Sequence, residues 1–275
     1  MKQDIDAFLE YLAREKGCSP NTLAAYHNDL TQLMSYIDSE KALGIIKSDS
    51  ELLRSYLLSL REKRYSSATA ARKVASAKSF LKFMVDSGRL KENPAQNLTS
   101  PPVSKHPPKF LSSTEYHRLL AEPAKLSTPE AKRDVVMLEL LYATGLRVSE
   151  LVSLNVKDIN LEHCCVNCSN KRVPFDHHIS QLLSNFLRNG RLDLLYDEKE
   201  ESLFLNRRGK RLTRQGFWQI TKNYTSRAGL SDKVTPHTLR HSFAVNKLRT
   251  GADLQSVQKL LGHAYVSSTR IYKVK

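Results

Sequence analysis

The segment Thr235-Pro236-His237-Thr238-Leu239-Arg240-His241 has the residue types and the spacing to act on a phosphate. Thr235 is a candidate N-cap and Pro236 suits the first helical position. His237 and Arg240 then fall at i and i+3, on one face of a first helical turn. The positive end of the helix dipole adds to the guanidinium there, which favours an anion. Further on, Leu260-Leu261-Gly262-His263 reads as a helix ending at a glycine cap, with His263 just beyond it. Tyr272 follows nine residues later. Upstream, Thr144-Gly145-Leu146-Arg147 puts Arg147 at a break between two helices, with Glu150 one turn farther on. Any one of these segments is compatible with a purely structural role. Together, two arginines, two histidines, a lysine and a tyrosine suit phosphoryl transfer without a metal or other cofactor. Guanidinium forks neutralise charge spread over a pentacoordinate phosphorus. A phenol becomes a nucleophile once a base removes its proton. The resulting phosphotyrosine keeps the bond energy, so strand joining needs neither water nor ATP. No carboxylate cluster suited to two magnesium ions is evident, which argues against two-metal nuclease chemistry.

Composition supplies a substrate for that chemistry. Lys and Arg number 43 against 28 Asp and Glu, a formal charge of +15 over 275 residues. Such an excess calls for a polyanion, and a nucleic-acid backbone is the usual one. The charge divides as +5 for residues 1–109 and +10 for residues 110–275. Two basic domains suit a clamp closing on duplex DNA. Hydrophobic residues make up 40%, enough for packed cores, and 10 Gly with 10 Pro exclude collagen-like and low-complexity chains. No apolar run approaches the ~20 residues of a membrane span. The N-terminus carries Asp4 and Asp6 where a signal peptide would be apolar. Four cysteines are no disulfide framework. The expected setting is cytoplasmic and nucleoid-associated, with no membrane partner.

The elements that must position these residues are mostly helical. Residues 1–92 hold four predicted helices, marked by Ile5/Phe8/Leu9/Leu12, by Ser19-Pro20 and the apolar positions after it, by Leu52/Leu53/Tyr56/Leu60, and by the segment from Ser66-Ser67 to Gly88. In the fourth helix Val74, Ala77, Leu81 and Met84 share one face, while Arg72, Lys78 and Lys82 lie on another. That basic face is expected to contact DNA. Lys73 falls near the apolar side and does not fit the pattern. Residues 93–109 contain five prolines and read as an extended linker. Residues 110–275 form the second domain, which opens with Ser112/Ser113 before an amphipathic helix carrying Tyr116, Leu119 and Leu120, and continues with helices near 132–143, 178–188, 213–228, 236–250, 253–261 and 267–273. Short strands are expected between Asp158 and Phe175, turning at Ser169-Asn170. Arg211, Arg214 and Gln215 cluster at the start of the 213–228 helix and are expected to reach phosphates or base edges. Cys165-x-x-Cys168 beside His163, His177 and His178 has a permissible zinc spacing, but no second such pair exists, so ordinary strand cysteines are favoured and no metal is expected.

The three blocks around Arg147, His237/Arg240 and His263, with Tyr272 behind them, resemble the signature of the tyrosine recombinase (phage integrase) family, and its Xer-like branch in particular. The segment from Phe8 to Tyr26 is similar to that family's core-binding domain, so the resemblance spans essentially the whole chain. It implies a mainly α protein with a SAM-like four-helix core-binding domain over residues 1–92 and an α+β catalytic domain with a small β-hairpin over 110–275. It also implies roles. Tyr272 would attack the scissile phosphate to leave a 3′-phosphotyrosine. Arg147 and Arg240 would bind the non-bridging oxygens. His237 would act as general base, His263 would hydrogen-bond the phosphate, and Glu150 would orient the site. A hairpin lysine would protonate the 5′-oxygen; Lys171 is the lysine available, in a hairpin shorter than the Xer pattern. Only Lys273-Val274-Lys275 follow Tyr272, where Xer-like chains continue into a helix that docks on a neighbour. The implied partners are a duplex recombination site, a homo- or hetero-tetramer across two duplexes, and a possible second Xer-type recombinase. The implied purposes are dimer resolution or integration. Two other readings stay open: a topoisomerase using the same chemistry without a specific site, and a DNA-binding accessory protein that has lost catalysis.

Overall fold

The computed structural model describes residues 2–42, 49–102, 109–169, 171–232, 234–262 and 266–272. The chain divides into two compact units, residues 1–106 and 107–275.

The first unit contains α1 (Lys2–Arg14), α2 (Pro20–Ala42), α3 (Asp49–Glu62) and α4 (Ser67–Asp86). Ile5, Phe8 and Leu12 point one face of α1 inward, against Leu30 and Phe80. The Phe8 and Phe80 rings meet edge to face at 5.5 Å. A fully buried phenylalanine of this kind contributes roughly 2–3 kcal/mol. Leu53, Tyr56 and Leu60 of α3 close a second cluster with Val74 and Ala77 of α4. Ser66 caps α4 by accepting the Thr69 N–H at 3.2 Å. Residues 93–98 depart from the extended linker expected of them. Asn93 accepts the Ala95 N–H at 2.9 Å, Pro94 leads a turn, and Ala95 and Leu98 are buried in the α3/α4 core. The apolar side chains between the prolines give this half of the segment something to pack against.

The misfit of Lys73 has a physical cause. Its side chain is 3% exposed and its ammonium donates to Asp29 at 3.1 Å and Gln32 at 2.7 Å. Asp29 also accepts from Arg72, which is drawn against α2. The helix thus buries an ion pair between its apolar and basic faces.

In the second unit come α5 (Ser113–Ala124), α6 (Pro129–Thr144) and α7 (Val148–Ser153). They precede β1 (Ile159–Asn160), β2 (Cys165–Cys168), β3 (Lys171–Pro174) and α8 (His177–Asn185). Last come α9 (Arg214–Arg227), α10 (Pro236–Arg249), α11 (Leu254–Leu261) and α12 (Ser267–Arg270). Helix α6 is the centre: Met137, Leu138, Leu140 and Leu141 are fully enclosed. That is why its sequence is apolar nearly all round rather than striped. The strands form an antiparallel sheet in the order β1-β2-β3, with Val166 opposite Val173 and Cys168 opposite Lys171. Both valines are buried, so the register sets Lys171 at the turn end of the hairpin, opposite Cys168. Asn170 lies outside the described residues.

The fold gives Arg211 a structural task. Leu205 and Arg211 form a short bridge, and the guanidinium turns inward to donate to Val152 O, Leu154 O and Asn155 Oδ1 at 2.6–3.1 Å. It ties the loop before α9 to the end of α7. The basic cluster in the sequence gave no sign of this, because the receiving carbonyls lie over fifty residues away. No described helix is long and apolar enough to cross a membrane.

The Asp29–Lys73 pair yields a test of the first unit. Asp29→Asn strands a buried ammonium and is expected to cost about 3–5 kcal/mol in urea unfolding, whereas Lys73→Met in an Asp29→Asn background is expected to recover most of it.

Candidate active site

Gly145 ends α6 with φ at +62° and donates its N–H to Leu141 O at 2.9 Å. A Cβ at this position would lie 2.3 Å from the Phe243 ring of α10. Glycine is therefore required both by the left-handed backbone and by the close approach. The turn buries Leu146 and delivers Arg147 as N-cap residue of α7. There the Arg147 N–H donates to Glu150 Oε2 at 2.7 Å and Nη1 donates to Oε1 at 2.9 Å.

Glu150 is the anion around which the site is arranged. Its carboxylate also lies 3.5 Å from Lys171 Nζ and 4.0 Å from Arg240 Nη1. Burial pushes its pKa upward, but the Arg147 N–H bond and the charges of Lys171 and Arg147 outweigh that and hold it below the ordinary value. The second restraint comes from the end of α11. Lys171 donates to Leu260 O at 3.4 Å, Arg240 to Leu261 O at 2.6 Å and Arg147 to Gly262 O at 2.8 Å. Three successive carbonyls at the negative end of a helix dipole thus receive three cations drawn from positions 147, 171 and 240. Gly262 closes α11 at φ +62°. Arg240 donates in addition to Gly145 O and is 6% exposed. Desolvation and the neighbouring Arg147 push its pKa down to about 10, which leaves it charged at neutral pH. Arg147 is 45% exposed and offers an open face.

Tyr272 is held by the turn after α12, its N–H donating to Thr269 O at 3.1 Å. The side chain is 3% exposed and packs with Phe243, Val257 and Leu261. Burial raises the phenol pKa, against the opposing charge of Arg240. The ring nitrogen facing the phenol is Nδ1 of His241, at 2.8 Å from the hydroxyl. His237 sits one turn earlier, exposed at the start of α10. Desolvation, then the charges of Arg214 and Arg240, hold its pKa below the ordinary histidine value. Arg147, Lys171 and Arg240 are therefore brought into one cluster, with Tyr272 and His237 in the electrostatic reach of Arg240. His263 lies outside the described residues. Among those described, no three His, Cys, Asp or Glu side chains come together as a metal site.

The other basic residues are spread over two helices. Arg214 and Gln215 are exposed on the first turn of α9, where Thr213 caps the helix through the Gly216 N–H. On α4, Lys82 is exposed and pairs with Asp86 at 3.1 Å, Lys78 is half-buried, and Arg72 is bound to Asp29.

The family assignment rests on sequence comparison with this geometry in place. Residues 109–275 match the model of the phage integrase family, and residues 5–88 match that family's N-terminal SAM-like domain. The chain belongs to the phage integrase family of tyrosine recombinases. These are enzymes that cleave and rejoin DNA strands. The tyrosine recombinase XerC of Roseiflexus sp. (strain RS-1) is 44% identical over 99% of this chain and 89% of its own length. The XerD of Oceanobacillus iheyensis is 40% identical over 98% of this recombinase and 92% of the relative. Among solved structures, XerA recombinase superposes with a TM-score of 0.56 at 28% identity, covering 100% of this chain and 94% of XerA. A Tn1549 transposon integrase shares the fold at TM-score 0.79 and 17% identity, over 98% of this chain and 95% of that one.

Two parts of the recombinase site escaped the sequence reading. His241 directly follows Arg240 in the sequence, but only the packing of Tyr272 shows that it meets the hydroxyl. The α11 carbonyls carry no sequence signal beyond the glycine cap.

Glu150 gives a pH-dependent test. Its pKa is depressed on folding, so its ion cluster stabilises the fold above the ordinary glutamate pKa and loses that contribution as pH falls through the lower folded value. Glu150→Gln is expected to cost about 3 kcal/mol near neutrality. The gap from wild type in urea unfolding should close progressively below about pH 4.

Proposed function

We propose that this recombinase exchanges duplex DNA strands at a specific site through a 3′-phosphotyrosine formed by Tyr272. The observation that carries the proposal is the convergence of Arg147, Lys171 and Arg240 on one carboxylate and one helix end. A scissile phosphate entering beside the open face of Arg147 meets donors already aligned for its non-bridging oxygens. The phenol oxygen of Tyr272 forms the new bond to phosphorus while the bond to the 5′-oxygen breaks. Lys171 supplies the proton that the departing 5′-oxygen needs. Arginine cannot take that role, because its pKa is too high. The reverse reaction, with the 5′-hydroxyl of another strand as attacker, reseals the backbone. Arg214 and Gln215 on α9, and Lys78 and Lys82 on α4, are the proposed contacts to the flanking duplex.

Exchange between two duplexes cuts four strands, and each chain offers one Tyr272. Four protomers, alike or of two kinds, therefore assemble on two duplexes. The likeness to XerC and XerD recombinases supports the Xer-like reading; the proposed setting is the cytoplasm, and the proposed purpose chromosome or plasmid dimer resolution, or integration.

A nicked suicide site that loses its short 5′ fragment tests the chemistry. Wild type is expected to yield a covalent complex on denaturing gels and Tyr272→Phe none. Lys171→Ala is expected to slow cleavage by roughly 10²–10⁴-fold, with recovery when sulfur replaces the 5′-oxygen. Equal trapping by Tyr272→Phe contradicts the nucleophile. Relaxation of supercoiled DNA lacking any site would select the topoisomerase activity instead.

A further inference from the structure

The geometry points to a second phosphate site, on the first unit: Arg72 takes a backbone phosphate of the duplex, and the buried Asp29 is its positioning residue. This rests on the DNA strand-exchange reading and adds an anchor for a phosphate other than the scissile one. Asp29 of α2 has its side chain 1% exposed, and two cations of α4 share its carboxylate. Lys73 is enclosed. Its ammonium donates to Asp29 Oδ1 at 3.1 Å and to Gln32 Oε1 at 2.7 Å, with the Tyr65 ring 5.2 Å away. Arg72 is held on one side only. Its Nη1 donates to Asp29 Oδ2 and to Ala25 O at 3.5 Å, while the side chain stays 42% exposed. Among the described residues its Nε and Nη2 make no bond, so the rest of the fork is open.

The cation cluster of the second unit is built the same way from unrelated sequence. There Glu150 holds one edge of the half-exposed Arg147 and also meets the more buried Lys171. In each case an enclosed carboxylate fixes a guanidinium at the surface while a second cation lies behind it. Lys73 alone neutralises Asp29, so the buried charge is balanced without Arg72. Arg72 therefore leaves one positive charge in excess, displayed at the rim. Its fork can span a carboxylate and a phosphate at once, which an ammonium does less well. The tether also removes in advance much of the rotamer freedom that a loose surface arginine gives up on binding. The surrounding face suits a polyanion. From Ser67 to Val85 α4 carries no acid, and Ala68 and Ala75, one turn to either side of Arg72, are exposed and short enough to let a sugar-phosphate backbone come close.

Fluorescence anisotropy tests the site, using a labelled duplex that carries the recombination site and a random duplex of equal length, each titrated between about 50 and 200 mM salt. Arg72→Ala is expected to weaken binding of both duplexes about tenfold and to make the plot of log Kd against log salt shallower by about 1. Arg72→Lys keeps the charge but not the fork, and is expected to retain the wild-type slope while losing about threefold in affinity. Asp29→Leu with Lys73→Met exchanges the buried pair for apolar side chains at unchanged net charge, with urea unfolding as the check on the fold. That exchange is expected to weaken both duplexes about threefold to tenfold, but less than about twofold in an Arg72→Ala background, because Asp29 acts through Arg72. Should the exchange unfold the unit, the two Arg72 variants, which leave the buried pair in place, still decide the contact. Wild-type affinity and slope in Arg72→Ala overturn the proposal, and so does a loss confined to the site duplex, which would make Arg72 a base reader. Equal losses from the exchange in both backgrounds make Asp29 a structural residue and overturn its positioning role. Wild type that binds neither duplex and forms no covalent complex would instead remove the recombinase reading on which the site stands.

Discussion

Mutual repulsion among Arg147, Lys171 and Arg240 is the constraint that the catalytic unit must satisfy. Three cations held near one another without DNA would drive the site apart. Glu150 offsets part of that repulsion, and the last carbonyls of α11 offset more, one to each cation. Each restraint explains a local choice. Gly145 lets α6 stop beneath Phe243 so that Arg147 starts α7. The hairpin register brings Lys171 to the same carboxylate. Gly262 ends α11 with its carbonyls directed at the cluster. Donors fixed in this way undergo little reorganisation when a phosphate arrives, which is the electrostatic advantage of a preformed site.

Tyr272, the proposed nucleophile, is held differently. Its hydroxyl is buried and bound to an imidazole rather than presented to solvent. A withdrawn phenol is protected from side reactions. It also meets α10, the helix that carries Arg240, so the proposed nucleophile and a proposed phosphate donor share one support.

Much of this was legible in the sequence because local rules dominate there. Helix starts at Ser66-Ser67 and Thr235, and the glycine stops at Gly145 and Gly262, fixed element ends. Spacing put His237 and Arg240 on one turn. The family blocks named Arg147 and Tyr272, and the shortened hairpin still held Lys171. What remained illegible depends on distant partners. Lys73 looks like a surface cation until Asp29, from another helix, is placed beside it. Arg211 reads as one of a basic cluster, and its bonds to the carbonyls at the end of α7 leave no sign in the sequence. His241 is one position past a well-marked arginine, and only the burial of Tyr272 gives it a task. Composition and periodicity carry no record of such pairings.

In the proposed reaction one phosphate is gripped by cations from three separated stretches of chain and attacked by Tyr272. A crystal structure of the recombinase trapped on a suicide DNA site tests it most directly. The expected result is a covalent bond between the Tyr272 hydroxyl oxygen and the 3′-phosphorus, with Arg147 and Arg240 in hydrogen-bond range of its non-bridging oxygens and Lys171 facing the vacated 5′ side. A phosphate joined to another residue, or lying away from these two guanidiniums, would contradict it.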